Sequence, residues 1–199
     1  MRGFGPSDAS VLTLDAAVER ARRSAETGSE CFAEGPLWRL RLWGFLPIDW
    51  LGNLSLHCHA ARVSIVSGDA RHLGGSRWAA SLLVEPLAPG VDARALNLLG
   101  MARHRPAVIA GWLSLRVETI RVFKADGQSP VLAVSGRDQL GFVACVTNAL
   151  LRCGLYADQL AIRTRGGWAE DWFALRGVGG VPAAAAAIAR LRRSLESGS

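Results

Sequence analysis

Two short stretches recur in the same order about ninety residues apart, and this duplication constrains the chain more than any other feature. Asp49-Trp50-Leu51-Gly52 returns as Asp138-Gln139-Leu140-Gly141, 89 residues on, and a glycine turn followed by Trp78-Ala79 returns as Gly166-Gly167-Trp168-Ala169, 90 residues on. Chance gives one such match; two in order, each inside the same run of expected elements, point to a duplicated unit. The 199 residues leave room for two domains of about 70 to 100 residues. Half of them are hydrophobic and a fifth charged, enough apolar side chain for packed cores.

Local patterns fill in the unit. Ser7 or Asp8 can cap a first helix that runs to about Thr27 and ends at Gly28. Leu37 to Phe45 alternates as a strand, Asp49 opens a helix that extends over Asn53 to Ser64, Ile65 to Leu73 reads as a strand, and Arg77 to Glu85 follows across a Gly74-Gly75 turn. Asp92 caps a helix to about His104, and Ala107 to Phe123 reads as one long or two short strands. The last third repeats the plan: a strand around Val131 to Ser135, a helix capped by Asp138 from Gln139 to Cys153, strands Leu155 to Thr164 and Trp168 to Leu175, and an alanine-rich helix from Pro182 to Leu195. The expected architecture is α+β, two tandem ferredoxin-like βαββαβ units after an N-terminal helix. The segments are 1–30 for the helix, 36–112 for the first unit and 115–196 for the second. A βαββα run that ends on a helix lacks its fourth strand, so the strand near Thr119 to Phe123 is expected to complete the second sheet.

In each copy a strand leads through Asp-x-Leu-Gly into a helix. The aspartate can accept bonds from the first helical amides, and glycine lets another group approach closely. The free amides and positive dipole end of the helix suit a carboxylate. A small amino acid could therefore dock at Asp138, Gly141 and Phe142, with Asp49, Gly52 and Asn53 as the matching site.

Val134 to Leu175 resembles the last ACT domain of the PII-protein uridylyltransferases, a glutamine-responsive enzyme family of nitrogen control. The family has a strand, an Asp-Arg-Pro-Gly-Leu turn, a helix, and then strands around a glycine turn. This sequence keeps Asp138, Gly141, Gly154-Leu155, Gly166, and Asp171 with Phe173, and carries Gln139 and Leu140 in place of Arg-Pro. The resemblance covers about residues 115–196 and is faint over 37–112. It implies ACT folds and a regulatory, amino-acid-binding role with glutamine first among ligands. The family's catalytic signatures, a Gly-Ser turn followed by paired aspartates and an adjacent His-Asp metal pair, do not occur here. A non-catalytic sensor is the expected function; the alternative is a ligand-free scaffold that uses ACT folds for oligomerisation or partner binding.

The remaining features exclude more than they suggest. Net charge is +6, but the arginines are spread along the chain, so no nucleic-acid partner is expected. No apolar run approaches the ~20 residues of a membrane span, and the start lacks a signal-peptide pattern, which makes a cytoplasmic protein without membrane contact the expectation. Four cysteines without a C-x-x-C pair read as free thiols. His57-Cys58-His59 on a helix cannot chelate one ion, and no metal or cofactor is expected. Seven tryptophans, five of them in strands, suggest covered sheet faces and self-association.

Overall fold

The computed structural model describes residues 8–106, 117–124 and 128–197. Its elements are α1 (Asp8–Arg23), β1 (Gly28–Glu34), β2 (Leu37–Phe45), α2 (Trp50–Ala60), β3 (Val63–His72), β4 (Arg77–Pro86), a 3-10 turn (Ala93–Ala95), α3 (Leu98–Arg103), β5 (Thr119–Phe123), β6 (Val131–Arg137), α4 (Phe142–Arg152), β7 (Leu155–Arg165), β8 (Trp168–Gly177) and α5 (Ala185–Glu196). The protein is α+β. The eight described strands form one sheet, every pairing antiparallel, in the order β1-β2-β4-β3-β7-β8-β6-β5. No described helix is long and apolar enough to cross a membrane.

Strict alternation decides which side of the sheet each residue faces. In β6, Leu132 and Val134 are buried, and in β8 the buried side chains are those of Ala169, Asp171, Phe173 and Leu175. All but Asp171 join one large core under α2, α3, α4 and α5, which includes Trp50, Leu54, Leu150 and the Ala187-Leu191-Leu195 stripe of α5. The stripe repeats every four residues, so one face of an alanine-rich helix meets the sheet. On the opposite side α1 packs Ala17, Val18 and Ala21 onto Ala79, with Trp43 and Leu73 alongside.

The strand Thr119–Phe123 does complete the second half of the sheet by pairing with β6. The sequence reading missed the equivalent strand of the first half. Gly28 does not end a helix but starts β1, which pairs with β2 through a tight connection at Glu34–Leu37. Each half therefore takes its outer strand from the N-terminal side, giving the order β-β-α-β-β-α in place of the expected βαββαβ.

Other boundaries move for local reasons. The helix expected from Asp92 splits in two, because Leu96 adopts an extended backbone. Asp92 caps only the 3-10 turn, and Asn97 caps α3 through Gly100 N–H. The expected helix over Asn53 to Ser64 stops at Ala60, since Arg62 takes a positive φ and Val63 enters β3. The final helix starts at Ala185; Pro182 instead bridges to Arg176. Of the strand expected over Ala107 to Phe123, residues 107–116 lie outside the described residues.

Candidate functional site

The halves join along β3 and β7, which pair from Ser67 opposite Arg163 to Arg71 opposite Gln159, while α2 lies against α4 above them. Gly52 permits the close helix contact: a Cβ there would sit 3.0 Å from Thr147 Oγ1. The two halves are related by a pseudo-twofold whose spacing differs from that of the sequence matches. α2 begins at Trp50 and α4 at Phe142, 92 residues apart, and β3 and β7 begin at Val63 and Leu155, again 92 apart. Leu46 N–H donates to the Ser76 carbonyl just as Asp138 N–H donates to the Gly167 carbonyl. Structurally, Gly141 thus corresponds to Asp49 and Asp138 to Leu46. The tryptophans of the second sequence match are also out of phase: Trp78 is buried beneath the helices, whereas Trp168 points to the other face of the sheet.

A pseudo-twofold through a seam creates two equivalent corners, and these two have diverged. At the first, Ser55, Ser64 and Ile65 of one half face Asp138, Gly141, Phe142 and Asp171 of the other around a cavity of about 20 Å³. That volume holds roughly one water molecule. At the second, the equivalent residues Thr147, Tyr156 and Ala157 face Ile48, Trp50 and Trp78. Here a cavity of the same volume, about 20 Å³, is walled by rings instead of carboxylates: Trp78 lies 5.9 Å from Trp50, 6.3 Å from Tyr156 and 4.9 Å from His72. His72 Nδ1 lies 3.1 Å from Asp158 Oδ1 across the seam. Where the first corner holds Asp138 and Asp171, the second holds Leu46 and Ala80, both buried.

Asp171 dominates the polar corner. It is 1 % exposed; its Oδ1 accepts from Arg163 N–H at 3.3 Å, and its Oδ2 has no hydrogen-bond partner among the described residues. Burial pushes its carboxyl up to about 8, and the nearby Asp138 adds to the shift. Asp138 is itself raised, first by burial and then by Glu85. The corner thus holds two carboxyls raised by burial, one of them with an unpartnered oxygen among the described residues. Next to it stands the N-terminus of α4, where Gly141 is the N-cap at φ 85 and ψ 5 with no side-chain cap bond. Its first-turn amides and dipole attract negative charge. The left-handed backbone also makes Gly141 sensitive to substitution: Gly141→Ala should cost about 1–2 kcal/mol in urea unfolding, with m unchanged.

No protein-family model and no curated protein matches this chain. Among solved structures, aspartate kinase from Synechocystis aligns over 94 % of this chain and 32 % of its own, at 15 % identity and a TM-score of 0.47. The chain spans about a third of that protein's length.

Of the residues singled out from sequence, Asp138, Gly141 and Phe142 come together at the polar corner. Asp138 does not cap α4, however, because the turn through Gln139 and Leu140 places Gly141 at the helix start. The other three do not form a second site. Asp49 holds the N-cap position of α2 without a side-chain bond, Gly52 is packed against Thr147, and Asn53 is buried with its amide 3.4 Å from the Ala102 carbonyl. Asp171, Ser55 and Ser64 were not foreseen as site residues. For Asp171 a signal existed: it is a lone carboxylate on the inward face of a strand otherwise lined by Ala169, Phe173 and Leu175. Among the described residues no group of three or more His, Cys, Asp or Glu side chains could hold a metal ion.

Proposed function

We propose that the protein is a non-catalytic, ACT-type regulatory module that binds one free α-amino acid at the polar corner of the seam. The observation that carries this is the buried Asp171 oxygen without a partner, beside an uncapped helix N-terminus. A zwitterion answers both needs: its ammonium supplies donors to Asp171 and Asp138, and its carboxylate meets the first amides of α4. The duplicated order of strands and helices and the resemblance of residues 115–196 to ACT domains support this class of ligand, and the resemblance puts glutamine first.

The cavity at rest is water-sized, so binding requires the two halves to separate slightly along α2 and α4. A ligand that prefers the opened seam shifts the population toward it, and the displacement of one half against the other is the signal passed to a partner. The same small volume favours the second reading, a ligand-free scaffold whose fused sheet serves oligomerisation or partner binding. A thermal-shift screen of the amino acids separates the two. The sensor reading expects one or a few of them at millimolar concentration to raise the melting temperature, and Asp171→Ala to abolish the shift while remaining folded. No shift with any amino acid would leave the scaffold.

A further inference from the structure

β3 and β7 each carry a bulge, and the pseudo-twofold relates the two. Against β4, β3 slips by one residue between Ile65 and Ser67; against β8, β7 slips between Ala157 and Gln159, again 92 residues on. Each bulge leaves one residue out of register, Val66 and Asp158, and a bulge re-aims the side chain it carries. The bulges flank the seam ladder, which is five pairs long. Val66 lies beyond the Ser67–Arg163 pair, at the polar corner, and Asp158 beyond the Arg71–Gln159 pair, at the aromatic corner.

The two ends carry different chemistry. At the aromatic end Asp158 Oδ1 lies 3.1 Å from Nδ1 of His72, the last residue of β3, and Arg176 Nε lies 3.5 Å from Asp158 Oδ2. His72 Nε2 is 2.7 Å from the Gly75 carbonyl, and its ring packs against Trp78 and, edge-on, Tyr156. With a carboxylate at one ring nitrogen and a carbonyl at the other, the ring serves both only with hydrogen on both nitrogens. Both side chains of the bridge are mostly buried, so water screens it less than a surface pair. At the polar end the pseudo-equivalent residues are Val66 and Thr164, and a valine side chain neither donates nor accepts. On the opposite face of the sheet Arg163 ties the strands once more, donating to the Gly68 carbonyl at 2.9 Å and to Asp69 at 2.9 and 3.2 Å. The seam is therefore held along its back and at its aromatic end. Two halves tied in this way part on the helix side by pivoting about the ties, and the gap grows widest at the far end, where Asp138, Gly141 and Asp171 stand.

We infer that the seam is a one-ended hinge: the His72–Asp158 bridge fixes the aromatic corner as the pivot, and the polar corner is the end that opens. The inference rests on the amino-acid reading only for what the opening admits; the hinge itself belongs to the chain without ligand.

Hydrogen exchange of the full chain, with no amino acid present and at about pH 6, where an ordinary imidazole is mostly protonated, tests it. Antiparallel pairs alternate between bonded and unbonded, so each end of the ladder contains a bonded pair whose amides report its opening. The amides of residues 70–71 and 159–160 should exchange about 10- to 100-fold more slowly than those of 67–68 and 162–163. His72→Phe keeps a ring against Trp78 and Tyr156 but loses the bridge, and it should remove most of that difference. Asp158→Ala should do the same, and the double variant no more than either alone. Equal protection at both ends of the parent, or the opposite gradient, would overturn the hinge. So would a gradient that persists in His72→Phe, including one in which both ends merely lose protection alike. A flat ladder overturns the hinge and leaves the sensor standing, whereas a thermal-shift screen without a hit overturns the sensor alone.

Discussion

Replacing Trp50 by alanine should destabilise the protein by about 3–5 kcal/mol, seen as a lower urea midpoint at constant m. Trp50 is 1 % exposed, opens α2, and packs its ring against Trp78 at the aromatic corner of the seam. The substitution removes a whole indole from a position where sheet, helix and opposite half meet, so no single neighbour can collapse into the space. A loss of that size is a large part of the roughly 5–15 kcal/mol that holds a typical domain together. Melting should become broad or biphasic if the halves come apart, because Trp50 ties α2 to β4 and to the seam at once.

Asp171→Asn should have the opposite sign, and its effect should depend on pH. The carboxyl of Asp171 titrates at about 8 in the folded protein, against a usual value of 3.8. Between those values the folded state holds a proton that the unfolded chain has released. The contribution of this residue to stability is therefore fullest below about pH 4 and falls as pH rises through the window to about 8. Asparagine has the same shape, can keep an acceptor for Arg163 N–H, and never ionises. The variant should match the parent near pH 4 and exceed it at pH 8, by on the order of 1–3 kcal/mol, in paired thermal or urea melts. Taking the difference between the two proteins cancels Glu34 and Asp92, whose carboxyls arginine contacts hold low and which act in the opposite direction. A variant less stable than the parent at pH 8 would mean that Asp171 is charged and paired in the fold.

Most strands were legible because alternation and glycine turns are local signals: β2 begins and ends where Leu37 and Phe45 predict, and β8 follows the Gly166-Gly167 turn. The outer strand β1 was not, since Gly28-Ser29-Glu30 has no apolar alternation and its pairing with β2 is set by the tight connection at Glu34–Leu37. The repeat was visible, but its spacing was misread. Asp49 and Asp138 share a tetrapeptide, yet the chain spends three more residues between Asp138 and α4 than between Asp49 and α2. Sequence identity therefore joined positions that the pseudo-twofold keeps apart, and made Asp49, Gly52 and Asn53 look like a second pocket. What distinguishes the two corners is which side chains fill them, Leu46, Trp78 and Ala80 against Asp138, Ala169 and Asp171, and that comparison requires the register.

The central claim is one amino-acid site per chain, at the corner that holds Asp171. Isothermal titration of the parent, Asp171→Ala and Trp78→Ala with an amino acid that stabilises the parent tests it most directly. The account predicts one molecule bound per chain, loss of binding in Asp171→Ala, and unchanged stoichiometry when Trp78 is cut back. Two molecules per chain, or undiminished binding without the Asp171 carboxylate, would contradict it.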